Sequence, residues 1–532
     1  MNVLSMNRRT CHTAFLLLLS VLATHALAAG VEIQHQFPVL EFRIDGNSIL
    51  TDEEIERAVT PYLGENRTLV DVDAAREALE KTYHDAGWLT VVVSIPEQKV
   101  DAGEVALQVV EGEIGKLRVK GSKYHANSDI KATVPELAEG NVPYFPQMQT
   151  ELARLNRSAD LRVAPVLTAG KVPGTVDVRL ETEDDLPLHG NVELNNRQSP
   201  NSTATRLGAT LRYDNLWQLG HSFSLTSQIT PEKIGEVSQF AATYVIPMGK
   251  DGNALAVYAV RSRSQFDTIT GSPGLGVLGN SNIFGVRHVI PLTALENFSQ
   301  SLSYGLDYKD IQQSIRVGGT ADLATPIRYA PLTATYSANL LGEGHSSSFE
   351  ASSVLGMRGL LGNRDEAFDN KRSGASASFL VFKGSLQHTE KFGRWSVDGK
   401  IETQLASGPL VSSEQFTAGG AESVRGYLEG ELASDIGIRL GLQGTTPSVA
   451  LGRSTSPWRI AGVAFFEGAR LHTLEAAYPQ PSFRLIRGTG IGLRLSGPIG
   501  TSLDVDLARA LDDGETTKAG DYRLHARLML NF

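Results

Sequence analysis

The C-terminal two-thirds of the chain is dominated by short segments in which apolar and polar residues alternate. In the segment 204–213, for example, Leu207 and Leu211 share one face, while Arg206 and Arg212 lie on the other. A period of two residues predicts β-strands. Sixteen such segments follow one another, near residues 188–196, 204–213, 219–228, 236–246, 253–264, 280–290, 298–311, 326–339, 344–356, 373–386, 392–405, 432–443, 457–467, 486–495, 499–507 and 522–532.

These segments predict an all-β domain over residues 187–532. An even number of antiparallel strands, each roughly ten residues long, is typical of a transmembrane barrel. The last segment alternates most regularly, because Tyr522, Leu524, Leu528 and the terminal Phe532 share one face. A soluble sandwich also alternates, but so apolar an edge strand would invite aggregation. The pattern therefore predicts a closed, 16-stranded antiparallel transmembrane barrel.

The region before the barrel has a different pattern, in which strands and amphipathic helices are mixed. Thr51 and Glu54 have the spacing of a capping box at the start of a helix. The order β-α-α-β-β over residues 37–115 is repeated, weakly in sequence but clearly in layout, over residues 116–183. Residues 184–187 then break the pattern. The chain is therefore predicted to place two similar α+β units before the barrel.

The N-terminus has the composition of a targeting segment. Two arginines precede an apolar run over 14–23, and an A-x-A sequence ends at Ala28. This order predicts a signal peptide, residues 1–28, cleaved after Ala28. The only cysteine, Cys11, precedes the apolar run, so the mature chain is expected to lack disulfides and cysteine metal sites. No later apolar run reaches the roughly 20 residues of a membrane helix, so the exported chain is either soluble or a membrane-spanning barrel.

Charge and motifs exclude several function classes. The formal net charge of −10 argues against a nucleic-acid partner, which requires clustered Lys and Arg. Residues 274–279 fit G-x-G-x-x-G, but the context of strand and helix that a nucleotide site requires is missing, which favours an extracellular loop. H-E-x-x-H and G-x-S-x-G do not occur in the sequence. We therefore expect no enzymatic activity, no cofactor and no metal.

The segment 416–435 is the most unusual stretch of the barrel region. It contains four glycines, one arginine and one tyrosine between two alternating segments. A connection of this length between strands is usually functional or disordered. Considered alone, its arginine would be an ordinary solvated loop residue. At the centre of the segment lie Val424, Arg425, Gly426 and Tyr427.

Motifs across nearly the whole mature chain resemble those of one family, the TpsB transporters of two-partner secretion, which belong to the BamA-like POTRA-barrel superfamily. The sequence from Val424 to Tyr427 is similar to the VRGY loop of that superfamily, and an apolar strand ending on Phe532 resembles the assembly signal of bacterial outer-membrane barrels. The other similar stretches are Ile95-Pro96-Glu97-Gln98, Gly103 with Val109-Val110-Glu111-Gly112, and Gly490-Ile491-Gly492-Leu493-Arg494 with Pro498-Ile499-Gly500 and Asp504.

The resemblance implies an arrangement for each part of the chain. The α+β units are expected to be periplasmic POTRA domains, POTRA 1 at 37–115 and POTRA 2 at 116–183. The loop 416–435 is expected to fold from the cell surface into the barrel lumen, where the family's arginine pairs with the acidic residue of an F-x-D-x-G motif. In this chain that motif is Phe465-Phe466-Glu467-Gly468-Ala469, so Glu467 replaces the aspartate and becomes the expected partner of Arg425.

The resemblance also implies a function and partners. We expect an outer-membrane pore that passes a large TpsA-like exoprotein of the haemolysin, adhesin or toxin type to the cell surface without ATP. The expected partners are that exoprotein, bound by the POTRA domains, the barrel assembly machinery during biogenesis, and outer-membrane lipid. The alternative is an assembly factor that inserts other barrels. Family members often begin with a pore-plugging helix, but only residues 29–36 separate Ala28 from the first strand, so we expect no such helix.

Overall fold

The computed structural model describes residues 35–532, apart from 101, 201, 250, 269–275, 294, 296, 313, 318–320, 325 and 453–455. The signal peptide, Cys11, the proposed absence of a plug helix, and part of the G-x-G-x-x-G segment lie outside the described residues. Two compact units divide the chain, one ending at Asp185 and one beginning at Leu186.

The first unit contains two successive α+β folds. In the first, three strands form a sheet in the order β2-β5-β4, with β2 and β5 parallel, and the helices pack on it around Leu79, Tyr83 and Leu107. The predicted capping box is present, since Glu54 Oε2 accepts the Thr51 N–H at 3.0 Å. The elements are β1 Phe37–Val39, β2 Glu41–Asp45, α1 Asp52–Val59, β3 Gly64–Arg67, α2 Leu69–Asp85, β4 Val91–Ser94 and β5 Glu104–Glu111.

The second fold of this unit repeats the plan. Its sheet has the order β6-β8-β7, and β6 is parallel to β8. Apolar residues spaced along α4, namely Met148, Leu152 and Leu155, are buried against it. The elements are β6 Glu113–Lys120, α3 Asn127–Thr133, α4 Phe145–Leu155, β7 Leu161–Ala169 and β8 Thr175–Asp184.

A buried carboxylate closes this second fold. Asp184, at the end of β8, accepts the backbone N–H groups of Lys123, Tyr124 and His125 at 2.6, 2.7 and 2.9 Å, and the His125 ring at 2.7 Å. Asp184→Asn is expected to destabilise the fold by about 1–3 kcal/mol, because one oxygen acceptor is replaced by an amide donor facing N–H groups. Urea titration of the full chain in detergent, read by limited proteolysis, measures the change. The exposed neighbour Glu183 provides the control, since Glu183→Gln should leave the midpoint unchanged.

The same contacts predict a pH dependence. Burial by itself raises the pKa of Asp184, but the hydrogen bonds from His125, Lys123 and Tyr124 outweigh it and hold the pKa below its ordinary value. A carboxyl with a depressed pKa stabilises the fold above its unfolded pKa of about 3.9, and this contribution is lost as the pH falls through the folded pKa. The difference in stability between the wild type and Asp184→Asn should therefore shrink below about pH 4. A difference that stayed constant down to pH 2 would contradict this role.

The second unit is a closed antiparallel barrel, so the predicted 16-stranded barrel is confirmed among the described residues. Two of the sixteen strands are interrupted, one between β18 and β19 and one between β25 and β26. Two short hairpins, β16–β17 and β23–β24, stand outside the barrel sheet. The elements are β9 Leu188–Asn195, β10 Arg206–Leu216, β11 His221–Ile229, β12 Ser238–Met248, β13 Asn253–Thr268, β14 Gly276–Pro291, β15 Phe298–Gln312, β16 Ser314–Val317, β17 Ala321–Ala324, β18 Ile327–Tyr329, β19 Leu332–Leu341, β20 His345–Gly356, α5 Asp365–Lys371, β21 Phe379–Phe392, β22 Trp395–Ala406, β23 Phe416–Ala418, β24 Leu432–Ser434, β25 Ile436–Thr445, β26 Val449–Ala450, β27 Arg459–His472, β28 Phe483–Ser496, β29 Thr501–Ala510 and β30 Tyr522–Asn531.

The alternating pattern separates the two faces of the barrel wall. Along β30, Leu524 and Leu528 are 52% and 44% exposed on the outer face, whereas His525 between them is 6% exposed and points inward. The outer face is therefore apolar and the inner face carries the charged side chains. Among the described residues, the helices are all too short or too polar to span a bilayer.

The barrel closes where the last strand meets the first. β30 pairs with β9 over Arg527–Asn531 and Asn191–Asn195, and Gly190 and Phe532 exchange two backbone hydrogen bonds of 2.8 and 2.9 Å. The Phe532 ring occupies the space beside Gly190, where a Cβ would lie 2.5 Å from the ring. The start of β9 and the C-terminus therefore lie at the same end of the barrel.

Candidate functional site in the barrel lumen

The segment 416–435, called here the lumenal loop, enters the barrel. Its base is the hairpin of β23 and β24, and the residues between them contact inward-facing side chains of β25, β27, β29 and β30. Val424, Arg425 and Tyr427 at its centre are at most 6% exposed. The loop is thus buried inside the barrel, so Arg425 is not an ordinary solvated loop residue.

Arg425 and Glu467 are brought into direct contact. Glu467 Oε1 accepts hydrogen bonds from Arg425 Nε at 2.9 Å and Nη2 at 2.5 Å, and Oε2 accepts the Arg425 backbone N–H at 2.7 Å. The guanidinium also lies over the Phe465 ring, with Cζ 3.4 Å from the centroid. Because β27 alternates, Phe465 and Glu467 point inward together while Phe466 points outward. The glutamate that replaces aspartate in the motif therefore reaches the arginine with both oxygens.

A second carboxylate completes the contacts of Arg425. Arg425 Nη1 donates to Asp506 Oδ2 and to Gln443 Oε1, each at 3.1 Å. Asp506 in turn accepts from Arg494 at 2.6 and 3.0 Å. Glu467, Arg425, Asp506 and Arg494 thus form a chain of alternating charge on the lumen wall, in which each charge has an opposite neighbour.

Sequence reasoning missed Asp506 and Gln443. Asp504, which the resemblance included only as part of the late glycine-rich strand pair, lies on the same face of β29 but accepts a hydrogen bond from Arg527 at 2.8 Å. A period of two assigns both aspartates to the inner face and does not say which one lies at the height of Arg425. The sequence therefore indicates two inward-facing carboxylates on β29. It does not give the strand register that decides which of them contacts Arg425.

Glycines let the loop lie directly against the wall. A Cβ at Gly488 on β28 would lie 2.0 Å from the Arg425 carbonyl oxygen, so a side chain there is incompatible with the observed position of the loop. Gly426 has a φ of +103°, which L side chains rarely adopt, and a Cβ there would lie 3.0 Å from the Ala510 nitrogen. Its N–H donates to His525 Nε2 at 3.1 Å. The close approach of the loop to the wall therefore depends on two glycines, Gly426 in the loop and Gly488 in β28.

Apolar contacts and a tyrosine hydroxyl hold the other side of the loop. Val424 and Tyr427, both fully buried, pack with Leu471, Ile486 and Ala510 on the inner face of the wall. The Tyr427 hydroxyl lies 2.9 Å from the carbonyl oxygen of Arg487 and 2.8 Å from that of Asp512, and it accepts the Asp512 N–H at 3.1 Å. These contacts orient the loop along the wall. The hydrogen bonds of the tyrosine hydroxyl hold the loop in addition to the ion pair of Arg425 with Glu467.

Family models match successive parts of the chain. A ShlB-type POTRA domain matches residues 37–112, the haemolysin secretion/activation protein ShlB/FhaC/HecB matches residues 174–443, and an Omp85 superfamily domain matches residues 373–528. The ShlB/FhaC/HecB model covers half of the chain. The fold and these matches define the class as a POTRA-barrel protein of the Omp85 superfamily.

Relatives and solved structures agree with this class. The outer membrane transporter CdiB of Escherichia coli is 25% identical over 182 residues, which are 34% of this chain and 30% of that protein, so the alignment spans about a third of the relative. The heme/hemopexin transporter protein HuxB of Haemophilus influenzae is 20% identical over 76% of this chain and 71% of its own. The structure of CdiB from Escherichia coli superposes with a TM-score of 0.62 at 19% identity, over 96% of this chain and 93% of that one. The structure of BamA from Haemophilus ducreyi lacking POTRA domains 1–3 superposes with a TM-score of 0.55 at 15% identity, over 93% of this chain and 100% of that one.

The chain belongs to the haemolysin secretion/activation family ShlB/FhaC/HecB, as the resemblance predicted. The barrel is an outer-membrane barrel and the POTRA region is periplasmic. Because β9 follows the POTRA region directly in the chain, the end with Gly190 and Phe532 is the periplasmic end. Connections that follow odd-numbered barrel strands, including the lumenal loop after the eleventh strand, therefore begin at the outer end.

Proposed function

We propose that this protein is an outer-membrane channel that translocates a large partner exoprotein of the haemolysin, adhesin or toxin type from the periplasm to the cell surface. The observation that carries the proposal is the lumenal loop. Side-chain contacts hold it in the transport path, whereas the strands of the wall are joined by continuous backbone pairing. A loop held in this way can leave the path without opening the barrel.

The POTRA region supports a role in substrate capture. In the first fold, β4 is an edge strand whose Val92 is 55% exposed, and Ile95 follows it. Such an edge accepts an added strand from an extended polypeptide, with backbone hydrogen bonds supplying affinity. We propose that the unfolded exoprotein binds at an edge of this kind. Folding of the exported protein outside the cell then provides the driving force, so neither ATP nor enzymatic chemistry is required.

Deleting the gene tests the proposal. The expected result is the loss of one or a few large proteins from the medium or cell surface, with the set of outer-membrane barrels unchanged. Quantitative proteomics of both fractions, with the deletion complemented in trans, measures the two effects separately. Loss of barrel proteins with secretion intact would instead support the barrel-assembly alternative, a role compatible with the likeness to BamA in fold.

Phe532 is proposed as the signal that the barrel assembly machinery recognises. Phe532→Ala is expected to lower the assembled fraction several-fold, because the terminal ring and its contact with Gly190 are lost at the closing seam. The shift of the folded barrel on unheated gels measures this fraction. Tyr522→Ala removes the outward aromatic at the other end of the last strand, which is 66% exposed, and serves as the matched control. Equal losses in both variants would contradict a role specific to the terminus.

A further inference from the structure

A second inward-folded connection, separate from the lumenal loop, lies at the outer end of the barrel. It is formed by residues 357–378 between β20 and β21, called here the outer segment, and it contains α5. Phe368 of α5 is 1% exposed and packs edge-on against Tyr329 with centroids 5.2 Å apart, and at 5.8 Å from Phe379. The apolar cluster comprises Ile311, Ile327, Tyr329, Val354, Phe368, Ala375, Ala377, Phe379, Val381, Leu410 and Val411.

These strand residues belong to the inner face of the wall. On β20 and β21, Val354 and Val381 are buried, while the adjacent Leu355 and Phe382 are 39% and 52% exposed on the outer face. Because Phe368 contacts the buried face, the outer segment lies inside the mouth of the barrel. It therefore occupies the outer part of the channel.

One ion pair, between a half-buried arginine and a fully buried carboxylate, ties the outer segment to its neighbours. Arg372, directly after α5, forms a bidentate pair with Asp435, with Nη2 2.7 Å from Oδ2 and Nη1 bonded to Oδ1. The same guanidinium donates to the carbonyl oxygens of Leu410 at 2.7 Å and Leu474 at 2.8 Å. Arg372 therefore joins three connections of the outer end, namely its own, the one that contains the lumenal loop, and the one after β27.

Asp435 is saturated with donors. Besides Arg372 it accepts the backbone N–H of Leu410 at 2.9 Å, the N–H of Leu474 at 2.8 Å and the side chain of Gln415 at 3.2 Å, and it is fully buried. A carboxylate removed from water in this way is stable only while its partners are in place. Withdrawal of Arg372 would leave a buried charge, so the pair is a strong and specific contact for the closed arrangement.

The outer segment is braced internally as one piece. Asp365 accepts the Ala377 N–H at 2.8 Å and the Ser376 hydroxyl at 2.9 Å, and Arg372 N–H donates to the Phe368 carbonyl at 2.9 Å. Its links to the wall include the apolar contacts of Phe368, Ala375 and Ala377 and a hydrogen bond of 2.7 Å from the Ala330 N–H to Asn363, while the Arg372 pair links it to the neighbouring connections. Because the outer segment is hydrogen-bonded internally and is held to its surroundings by side-chain contacts, it is suited to move as a rigid unit.

We propose that the outer segment is the outer gate of this channel, held shut by the Arg372–Asp435 pair and by Phe368, and that it swings outward to release the exported chain. This inference rests on the proposed function, because a channel that passes an unfolded chain needs its outer mouth cleared. The lumenal loop and the outer segment would then be two obstructions in series, coupled by the pair between Arg372 and Asp435, the last residue of the lumenal loop.

A buried reporter tests whether the segment moves. Ala377 is fully buried in the segment, so Ala377→Cys, in a chain that also carries Cys11→Ala, gives one thiol that a membrane-impermeant maleimide reaches only when the segment leaves the mouth. Adding Arg372→Ala is expected to raise the labelling rate on intact cells roughly tenfold or more. In planar bilayers with potassium chloride, the same variant should show larger or more frequent open currents than the wild type.

Arg358→Ala is the matched control. Arg358 lies in the same segment, but its pair with Asp365 is exposed, with 68% of the arginine side chain in solvent. Labelling and conductance should therefore stay within about twofold of the wild type, as exposed pairs contribute little. Phe368→Ala, which removes the apolar contact and no charge, is expected to act like Arg372→Ala and serves as the second test if Arg372→Ala fails to form a heat-modifiable barrel.

The outcomes separate the gate from the proposed function. If Arg372→Ala, or Phe368→Ala in its place, is labelled at the wild-type rate with unchanged currents, the gate is wrong even if gene deletion abolishes secretion. Equal increases in Arg358→Ala would also overturn it, since the Arg372 pair would then have no special role. If labelling rises as expected but gene deletion leaves secretion intact, the movable segment stands and the proposed secretion function fails.

Discussion

Arg425→Ala is expected to leave the barrel assembled and to reduce export of the partner exoprotein roughly tenfold or more, because each 1.4 kcal/mol or so of lost binding is about a factor of ten. The substitution removes the side-chain bonds to Glu467 and Asp506 and leaves Glu467 with only the backbone N–H of the loop. Breaking a buried pair costs about 3–5 kcal/mol, less in a wet lumen. The loop should therefore lose its fixed position while the strand ladder stays intact.

Export is measured as the rate at which the exoprotein reaches the medium, normalised to heat-modifiable barrel in the outer membrane. Arg287→Ala is the matched control, because Arg287 is also an inward-facing arginine of the wall, half-buried, and pairs with the buried Asp307 at 2.8 Å, away from the lumenal loop. If both variants export equally poorly, damage to the wall in general explains the defect. Wild-type export by Arg425→Ala would contradict the role proposed for the loop.

Gly488→Ala should have an effect of the same kind without changing any charge. The added Cβ would lie 2.0 Å from the Arg425 carbonyl oxygen, so the loop must move away from β28. Overpacking of this kind costs about 1–3 kcal/mol. The expected result is reduced export with a normally assembled barrel.

The control for this substitution is Gly444→Ala on β25, where an added Cβ meets no atom within 4 Å. Export by Gly444→Ala should equal that of the wild type. The double variant Gly488→Ala/Arg425→Ala should be little worse than Arg425→Ala alone, because both changes release the same loop and such effects are not additive. Fully additive losses would show that Gly488 acts on something other than the position of the loop.

The barrel itself could be predicted from the sequence, because apolar and polar residues alternate along its strands. Each of the sixteen predicted segments overlaps a barrel strand, and the inward and outward faces of β30 are as the pattern predicts. Period-two alternation is a local property, dictated by the pleat of a strand between lipid and lumen, so it survives in a single sequence. The interruption between β18 and β19, at Ala330 and Pro331, has no such periodic signal.

The lumenal loop could be predicted in part, for a different reason. Its glycines and the match to a family motif singled out Arg425, and the F-x-D-x-G likeness pointed to Glu467 despite its changed side chain. The second capping box, between Thr68 and Asp71 at the start of α2, was a local signal that sequence reasoning overlooked. The resemblance singled out Arg425 and Glu467, whereas the capping box is marked by local spacing alone.

The sequence by itself therefore determined the class of fold, the faces of the strands and the central arginine of the loop. The tertiary structure alone decided which charges meet. Asp506 rather than Asp504 reaches Arg425, and Arg372 finds Asp435 across 63 residues of chain. Alternation says that a side chain points inward, but the height at which it lies depends on strand register and on how far a loop folds into the lumen. Those distances arise only when the barrel closes.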